Sequence, residues 1–193
     1  MGIEFELKYR ATEAQLAALE EEFLKDPRQI SMHTRYYDTP GHDFSRRKLT
    51  LRCRLENGSP VCTLKTPAGG LARGEYELPG ERIEEVAPEL CRLAGFPELI
   101  PLLEQGLGEV CGARFTRLAG ALRFPGCTAE LALDRGVLTG GGRELPLCEA
   151  EAELKEGSRE ALVAFGLLLE RSFGLVPERL SKFRRALELA KED

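Results

Sequence analysis

Alternation of charged and apolar residues with a period of two is the feature that most constrains the fold of this chain. The first example lies at residues 3–9, where apolar side chains alternate with Glu4, Glu6 and Lys8. Because side chains point to opposite sides along a β-strand, this spacing predicts strands with one apolar and one charged face. The same pattern predicts further strands at 31–38, 48–55, 61–66, 73–78, 113–117, 121–124, 128–133 and 146–154.

Helices are predicted between and after these strands. Thr12 and Gln15 have the spacing of a capping box, and Asp26-Pro27 ends the helix that follows. Another helix is predicted from Ser158 to a C-terminal cap at Gly174, with further helical segments over 81–108 and 181–191. Turn signals join successive strands, which favours antiparallel pairing. We therefore expect an antiparallel α+β fold with about eight strands, a number that can close into a barrel.

Composition limits the functions open to the chain. Its 193 residues fit a single domain spanning 1–193, and a net charge of −5 argues against a non-specific nucleic-acid binder. Apolar stretches are too short for a membrane-spanning helix, and the N-terminal residues lack the apolar core of a signal peptide. We therefore expect a cytoplasmic protein without nucleic-acid or membrane partners. The sequence leaves the oligomeric state open.

The charged faces of the predicted strands are segregated by sign. Acidic residues cluster in the first and last strands, and basic residues cluster in the middle strands and the last helix. Like charges two residues apart on one face repel, so a run such as Glu149, Glu151 and Glu153 needs a neutralising partner. Carboxylates suit Mg²⁺ or Mn²⁺, and arginine and lysine bind phosphate oxygens. The pattern therefore favours a site for a triphosphate bound with its cation, although ordinary solvent-exposed faces would also alternate in this way.

Nine short motifs, in order along the chain, resemble those of the CYTH superfamily, the triphosphate tunnel metalloenzymes. They correspond to ExExK at 4–8, YFDTP at 36–40, LRxR at 51–54, TLK at 63–65, RxExE at 73–77, FxR at 115–117, ExxxDxG at 130–136, the acidic strand at 148–157 and SKxxR at 181–185. The sequence departs from the family pattern at Arg46-Arg47-Lys48, where a glycine is usual. It also lacks an aromatic residue that commonly follows FxR. Both departures concern the non-phosphate end of the substrate.

The resemblance implies an eight-stranded antiparallel closed barrel that forms a tunnel, with helices packed on the outside and a triphosphate bound in the interior. By motif, the metal ligands would be Glu4, Glu6, Glu130, Asp134, Glu151 and Glu153. The residues that bind the triphosphate would be Lys8, Arg52, Arg54, Lys65, Arg117, Lys182 and Arg185. Glu4, Glu6, Lys8 and Glu153 would carry catalysis.

Several further residues are assigned roles with alternatives left open. Glu75 and Glu77 are expected to pair with the tunnel arginines. Asp38 is expected to fix a turn or a neighbouring basic residue, with contact to the site as the less favoured alternative. Glu149 lies on the acidic strand, but three inward acids exceed what two metal ions need, so its role stays open.

The leading hypothesis from the sequence is Mg²⁺- or Mn²⁺-dependent hydrolysis of inorganic tripolyphosphate to pyrophosphate and phosphate. The first alternative is a class IV-type adenylyl cyclase, which makes cyclic AMP and pyrophosphate from ATP. The second is a non-catalytic module that binds polyphosphate or nucleotides.

Overall fold

The computed structural model describes residues 2–69 and 72–191. Its strands are β1 (Gly2–Arg10), β2 (Arg28–Asp38), β3 (Thr50–Glu56), β4 (Ser59–Pro67), β5 (Ala72–Pro79), β6 (Gly108–Phe124), β7 (Cys127–Gly140), β8 (Arg143–Gly157) and the two-residue β9 (Val176–Pro177). Its α-helices are α1 (Glu13–Phe23), α2 (Asp43–Arg46), α3 (Ile83–Leu93), α4 (Arg159–Phe173) and α5 (Lys182–Leu189), and a 3-10 segment spans Pro97–Gln105.

The strands close into an antiparallel barrel. Their order is β5-β4-β3-β2-β6-β7-β8-β1, and β1 also pairs with β5, where Glu4 lies opposite Arg73. The short β9 adds to β1 at its C-terminal end. The predicted α+β class and closed eight-stranded barrel are therefore confirmed.

Outward-facing apolar residues of the barrel are covered by helices. Leu16 and Leu19 of α1 and Phe165 of α4 pack in one cluster with Leu131 and Leu133 of β7. On the other side of the barrel, α3 and the 3-10 segment cover β3 and β4 in a second cluster. Burial of these faces drives the sheet to curve around its charged side, which is left to line the interior.

Helix α5 lies across one end of the barrel rather than along its wall. Phe183 packs with Tyr36 and Phe115, whose side chains point into the barrel. Helix α5 comes so close to the end of β7 that a glycine is required there, because a Cβ on Gly140 would lie 2.3 Å from the Ala186 carbonyl oxygen. The helix thereby places Lys182 at the inner end of the tunnel.

Local signals in the sequence are largely confirmed. Thr12 and Gln15 form the capping box, and Ser158 accepts a hydrogen bond from the Ala161 N–H. One prediction is wrong: 113–117 and 121–124 are parts of a single strand, β6. Gly120, which lies between the two predicted segments, makes room for a packed neighbour, since a Cβ there would lie 2.9 Å from Leu24 Cδ2.

None of the helices in the described part of the chain is long and apolar enough to cross a membrane.

Candidate active site

The barrel encloses a cavity of about 780 Å³ whose lining is strongly charged. Twelve basic and eight acidic residues line it, an excess of four positive charges in a chain whose net charge is −5. Concentrating positive charge in a concave, partly desolvated site attracts anions and raises their local concentration. The cavity is therefore built to receive an anion.

Most of the predicted site residues are brought together in this cavity. Those that line it are Glu4, Glu6, Lys8, Arg52, Arg54, Lys65, Arg117, Glu130, Glu151, Glu153 and Lys182. Asp134 and Arg185 are not among the lining residues. Each is covered by charged side chains with which it pairs, as described below.

Three carboxylates lie side by side across neighbouring strands. Glu6 of β1 is directly opposite Glu153 of β8, which is directly opposite Glu130 of β7. We call these three residues the carboxylate row. Directly opposite side chains on antiparallel strands have Cβ atoms roughly 4.5–5.5 Å apart, so the row concentrates negative charge.

The cations that contact the carboxylate row lie largely at its exposed edge. Arg28 donates to Glu130 at 2.6 Å with two thirds of its own side chain exposed, and Lys155 contacts Glu153 at 2.8 Å while nearly half exposed. Exposed ion pairs of this kind are weak and readily exchanged. Hard oxygen donors at this spacing, with weakly held partners, fit Mg²⁺ or Mn²⁺.

Glu4 and Glu75 both contact Lys65 at the edge of the basic wall. Lys65 donates to Glu4 at 2.8 Å and contacts Glu75 at 3.0 Å. Burial, together with a hydrogen bond to Glu75, raises the pKa of Glu4 to about 7. Burial also opposes ionisation of Glu75, but the hydrogen bond from Glu4 and the charges of Arg52 and Lys65 lower its pKa to about 2.

The middle strands provide a wall of buried guanidinium groups. Arg52 donates to Glu75 at 2.9 Å, and Arg54 pairs with Glu56. Burial and the neighbouring charge of Arg52 lower the pKa of Arg54, so cationic charge is crowded here. In the described residues, the buried Nε groups of Arg52 and Arg54 have no hydrogen-bond partner. Buried donors without acceptors are costly, and phosphate oxygens in the cavity would satisfy them.

Asp134 anchors two of the predicted phosphate-binding residues from behind the wall. Its side chain is fully buried, and it accepts two hydrogen bonds from Arg117, each 2.8 Å long. Lys182 Nζ lies 2.9 Å from the second carboxylate oxygen. Asp134 raises the pKa values of both Arg117 and Lys182 well above their usual range, although burial alone would lower them. In this arrangement the Asp134 oxygens are occupied by cations of the protein.

Glu149, which the sequence left open, belongs to the same cluster. It is fully buried and pairs with both Lys182 and Arg185, while Glu151 contacts Lys182 at 2.8 Å and also pairs with Arg117. Carboxylate oxygens of Asp134, Glu149 and Glu151 lie within 4.8 Å of one another, close enough to share a cation. These three acids pair with three cations, Arg117, Lys182 and Arg185, and we call the six residues the buried ion network. Its charges nearly cancel.

The two glutamates of the buried ion network have pKa values shifted in opposite directions. Burial raises the pKa of Glu149 to about 7 despite the opposing charge of Lys182. Burial likewise disfavours the charge on Glu151, but Lys182 and Arg117 hold the pKa of Glu151 well below its usual range. One carboxyl therefore stays ionised while its neighbour exchanges a proton near neutral pH.

Several lining residues were not assigned a role from the sequence. Arg28 was missed because β2 begins three residues before the predicted strand, although its spacing from Ile30 and Met32 continues the inward alternation. Arg73 lies opposite Glu4 at the point where the barrel closes, which sequence alone could not locate. The predictions for Glu75 and Asp38 are confirmed: Glu75 pairs with Arg52 and Lys65, and Asp38 accepts three backbone N–H groups in the following turn.

The two ends of the tunnel differ in charge. At the end where β3 begins and α5 packs, the lining cations are Arg46, Lys48, Arg179 and Arg184. At the other end, the lining includes Glu56, Glu77 and Glu130 together with Arg28. The tunnel thus runs from a basic mouth, past the buried side chains of Arg52 and Arg54, to an acidic mouth.

A closed antiparallel barrel with opposing basic and acidic inner walls defines a class of anion-binding tunnel proteins. The CYTH domain model matches residues 2–187, nearly the whole chain. The chain therefore belongs to the CYTH family, which confirms the resemblance seen in the sequence.

One curated relative is an inorganic triphosphatase of Haemophilus influenzae, 34% identical over 134 residues. That match covers 67% of this chain but 38% of the relative, so this chain spans well under half of the relative's length.

Solved structures share the fold at low sequence identity. A Pyrococcus horikoshii protein is 24% identical with a TM-score of 0.65, and the match covers 98% of this chain and 99% of the other. A candidate adenylate cyclase from Bacillus halodurans is 20% identical with the same TM-score of 0.65, covering 96% and 98%. A candidate adenylyl cyclase from Hippeastrum with a dominant triphosphatase activity is 18% identical with a TM-score of 0.60, covering 100% and 98%.

Proposed function

We propose that this chain hydrolyses inorganic tripolyphosphate to pyrophosphate and phosphate inside the tunnel, with Mg²⁺ or Mn²⁺ as its cofactor. The observation that carries the proposal is the carboxylate row facing a wall of buried arginines whose Nε groups have no partner in the described residues. Such a cavity offers oxygen ligands on one side and phosphate donors on the other. A triphosphate bound with a divalent cation satisfies both.

The basic residues bind and orient the substrate in this proposal. Arg52, Arg54 and Lys65 on one side, and Lys8, Arg117 and Lys182 on the other, donate to the phosphate oxygens. Because these donors are held by Glu75, Asp134 and Glu151, they need little reorganisation when charge moves onto the leaving phosphate. Arg185 does not line the cavity. It pairs with Glu149, which in turn contacts Lys182 and helps to hold it in place.

The acidic residues hold the cofactor. Glu4, Glu6, Glu130, Glu151 and Glu153 offer carboxylate oxygens to the cavity, and Asp134 would join them only by giving up its bonds to Arg117 and Lys182. If these carboxylates held a divalent cation, it would supply charge neutralisation for the phosphates and would lower the pKa of a coordinated water. Glu4, Glu6, Lys8 and Glu153 are the residues we assign to catalysis.

The relatives support this choice of substrate. The Haemophilus influenzae relative is named an inorganic triphosphatase, and the Hippeastrum protein has a dominant triphosphatase activity. A cyclase would also need a place for the adenine ring. The aromatic side chains at the cavity are already engaged: Phe183 packs on Tyr36 with ring centroids 5.1 Å apart, and Phe115 lies beneath the charged groups of Arg117 and Lys182. Hydrolysis of a small triphosphate therefore fits the cavity better than cyclisation of ATP.

The test is to offer tripolyphosphate, thiamine triphosphate and ATP in parallel with Mg²⁺ or Mn²⁺, and to measure phosphate and cyclic AMP. Fast phosphate release from tripolyphosphate, with little from ATP, is the expected result. Cyclic AMP with pyrophosphate from ATP would replace the proposal with the cyclase. No product from any substrate would favour a binding module.

A further inference from the structure

Four cations surround the basic mouth of the tunnel: Arg46, Lys48, Arg179 and Arg184. We call these four residues the basic collar. All four are exposed, and none has a carboxylate within 4.0 Å in the part of the chain that the structure describes. Arg47, in contrast, turns away to pair with Asp43 at 3.4 Å. The collar therefore concentrates positive charge without internal compensation.

The first half of the collar belongs to a fixed turn. Asp38 is buried and accepts the N–H groups of Thr39, Phe44 and Ser45 at 2.9–3.0 Å, and Phe44 is fully buried. These bonds hold residues 39–45 against the barrel, next to Arg46 and Lys48.

The second half of the collar is held by α5. Arg184 donates its backbone N–H to the Ser181 side chain at 3.2 Å, and Lys182 between them is tied to Asp134. Two separate chain segments thus bring like charges to one opening. An anion bound between them would relieve their mutual repulsion.

Acidic lining residues are absent from the collar segments. The eight acids of the described cavity lining all lie on barrel strands, and none comes from residues 45–49 or 179–184. The collar cations therefore extend the basic lining outward from Arg52 and Lys182, whose own charges are paired with carboxylates in the interior. A linear polyanion longer than the interior site would follow this path.

We propose that the basic collar binds the phosphate groups of a linear polyphosphate that extend beyond the three held in the interior. This inference rests on the proposed function of the interior site. A nucleoside is a poorer occupant of the collar, because the aromatic neighbour Phe183 is buried against Tyr36, and the other lining neighbours Ser45, Leu180 and Ser181 offer no aromatic surface for a base. Chains longer than tripolyphosphate should accordingly bind more tightly than tripolyphosphate, through contacts that tripolyphosphate cannot make.

The experiment compares binding of tripolyphosphate with binding of a long linear polyphosphate of defined length, by calorimetry in EDTA so that turnover does not interfere. The test variant is Arg46→Ala/Lys48→Gly; Lys48 has a φ of +60°, which glycine adopts without strain. The control variant, Lys25→Ala/Arg123→Ala, removes two exposed cations that do not line the cavity.

We expect the collar variant to weaken binding of the long chain about tenfold, since exposed contacts are individually weak, and to change tripolyphosphate binding by less than about twofold. The control variant should leave both affinities within about twofold of wild type. Equal weakening of both ligands would show that the collar only contributes general attraction, and no weakening would show that it binds nothing; either result overturns the inference. Failure of the proposed function would appear separately, as absence of tripolyphosphate hydrolysis by the wild-type protein with Mg²⁺.

Discussion

Replacing Asp134 by asparagine should destabilise the metal-free protein strongly. The side chain is fully buried, and its carboxylate compensates Arg117 through two bonds of 2.8 Å and Lys182 through a contact of 2.9 Å. Asparagine has the same shape, but its amide nitrogen would face a cation. Removing one partner of a buried ion pair costs roughly 3–5 kcal/mol. Because Glu151 still contacts both cations, we expect about 3 kcal/mol here, or a fall in Tm of about 6–12 °C.

The assay is urea unfolding in EDTA at neutral pH, with Glu144→Gln as the matched control. Glu144 of β8 pairs with Arg114 of β6 at 2.5 Å, so this pair also joins two strands of the sheet, but more than half of each side chain is exposed. Exposed pairs contribute about 0–1 kcal/mol, so the control should lose less than about 1 kcal/mol.

Two results would refute the reasoning on Asp134. If Asp134→Asn is as stable as Glu144→Gln in EDTA, the carboxylate does not hold Arg117 and Lys182 in place. If the variant keeps its metal-free stability but loses the stabilisation that Mg²⁺ gives the wild type, Asp134 is a metal ligand, as the family resemblance implied.

Three further predictions follow from the charges in the cavity. The pKa of Glu4 is raised to about 7, above its ordinary 4.5, so the native state holds this proton more tightly than the unfolded state and stability in EDTA should fall by about 2 kcal/mol as the pH rises from 5 to 8. Glu4→Gln should make that slope smaller in urea unfolding without abolishing it, because Glu149, whose pKa burial also raises to about 7, loses its proton over the same pH range; an unchanged slope would contradict the assignment. Arg54→Met should raise the KM for tripolyphosphate at least about tenfold with no loss of stability, because Arg54 is crowded by Arg52 and keeps an unpartnered Nε; an unchanged KM would remove Arg54 from the binding wall. Finally, Mg²⁺ and tripolyphosphate together at about 100 times the Kd should raise Tm by about 5–10 °C, measured by thermal unfolding, and no shift would mean that the cavity binds neither.

Much of the barrel could be predicted from the sequence because its strands alternate so regularly. The face that carries Glu4, Glu6 and Lys8 does line the cavity. The sequence could not show which strands adjoin, so the alignment of Glu6, Glu153 and Glu130 into one row depends on the observed pairing. The order of the motifs identified the site residues, and the strand register determined which of them lie next to one another.

Other features depended on tertiary packing. The amphipathic pattern of α5 is equally compatible with packing outside the barrel, and only the fit of Phe183 and Ala186 against inward-facing residues places it across one end. Glu149 could not be separated from its neighbours on β8 by alternation alone. Its role depends on the approach of Lys182 and Arg185 from α5, 33 and 36 residues further along the chain.

The most direct test of metal-dependent hydrolysis in the tunnel compares the wild type, Glu6→Gln and Glu156→Gln on tripolyphosphate with Mg²⁺. Glu6 lies in the carboxylate row, whereas Glu156 is exposed on β8 and does not line the cavity. We predict that Glu6→Gln lowers kcat about a thousandfold, because the metal contributes several kcal/mol to stabilising the transition state, while its unfolding curve remains cooperative. Glu156→Gln should retain wild-type turnover. Full metal-dependent activity in Glu6→Gln would contradict the account.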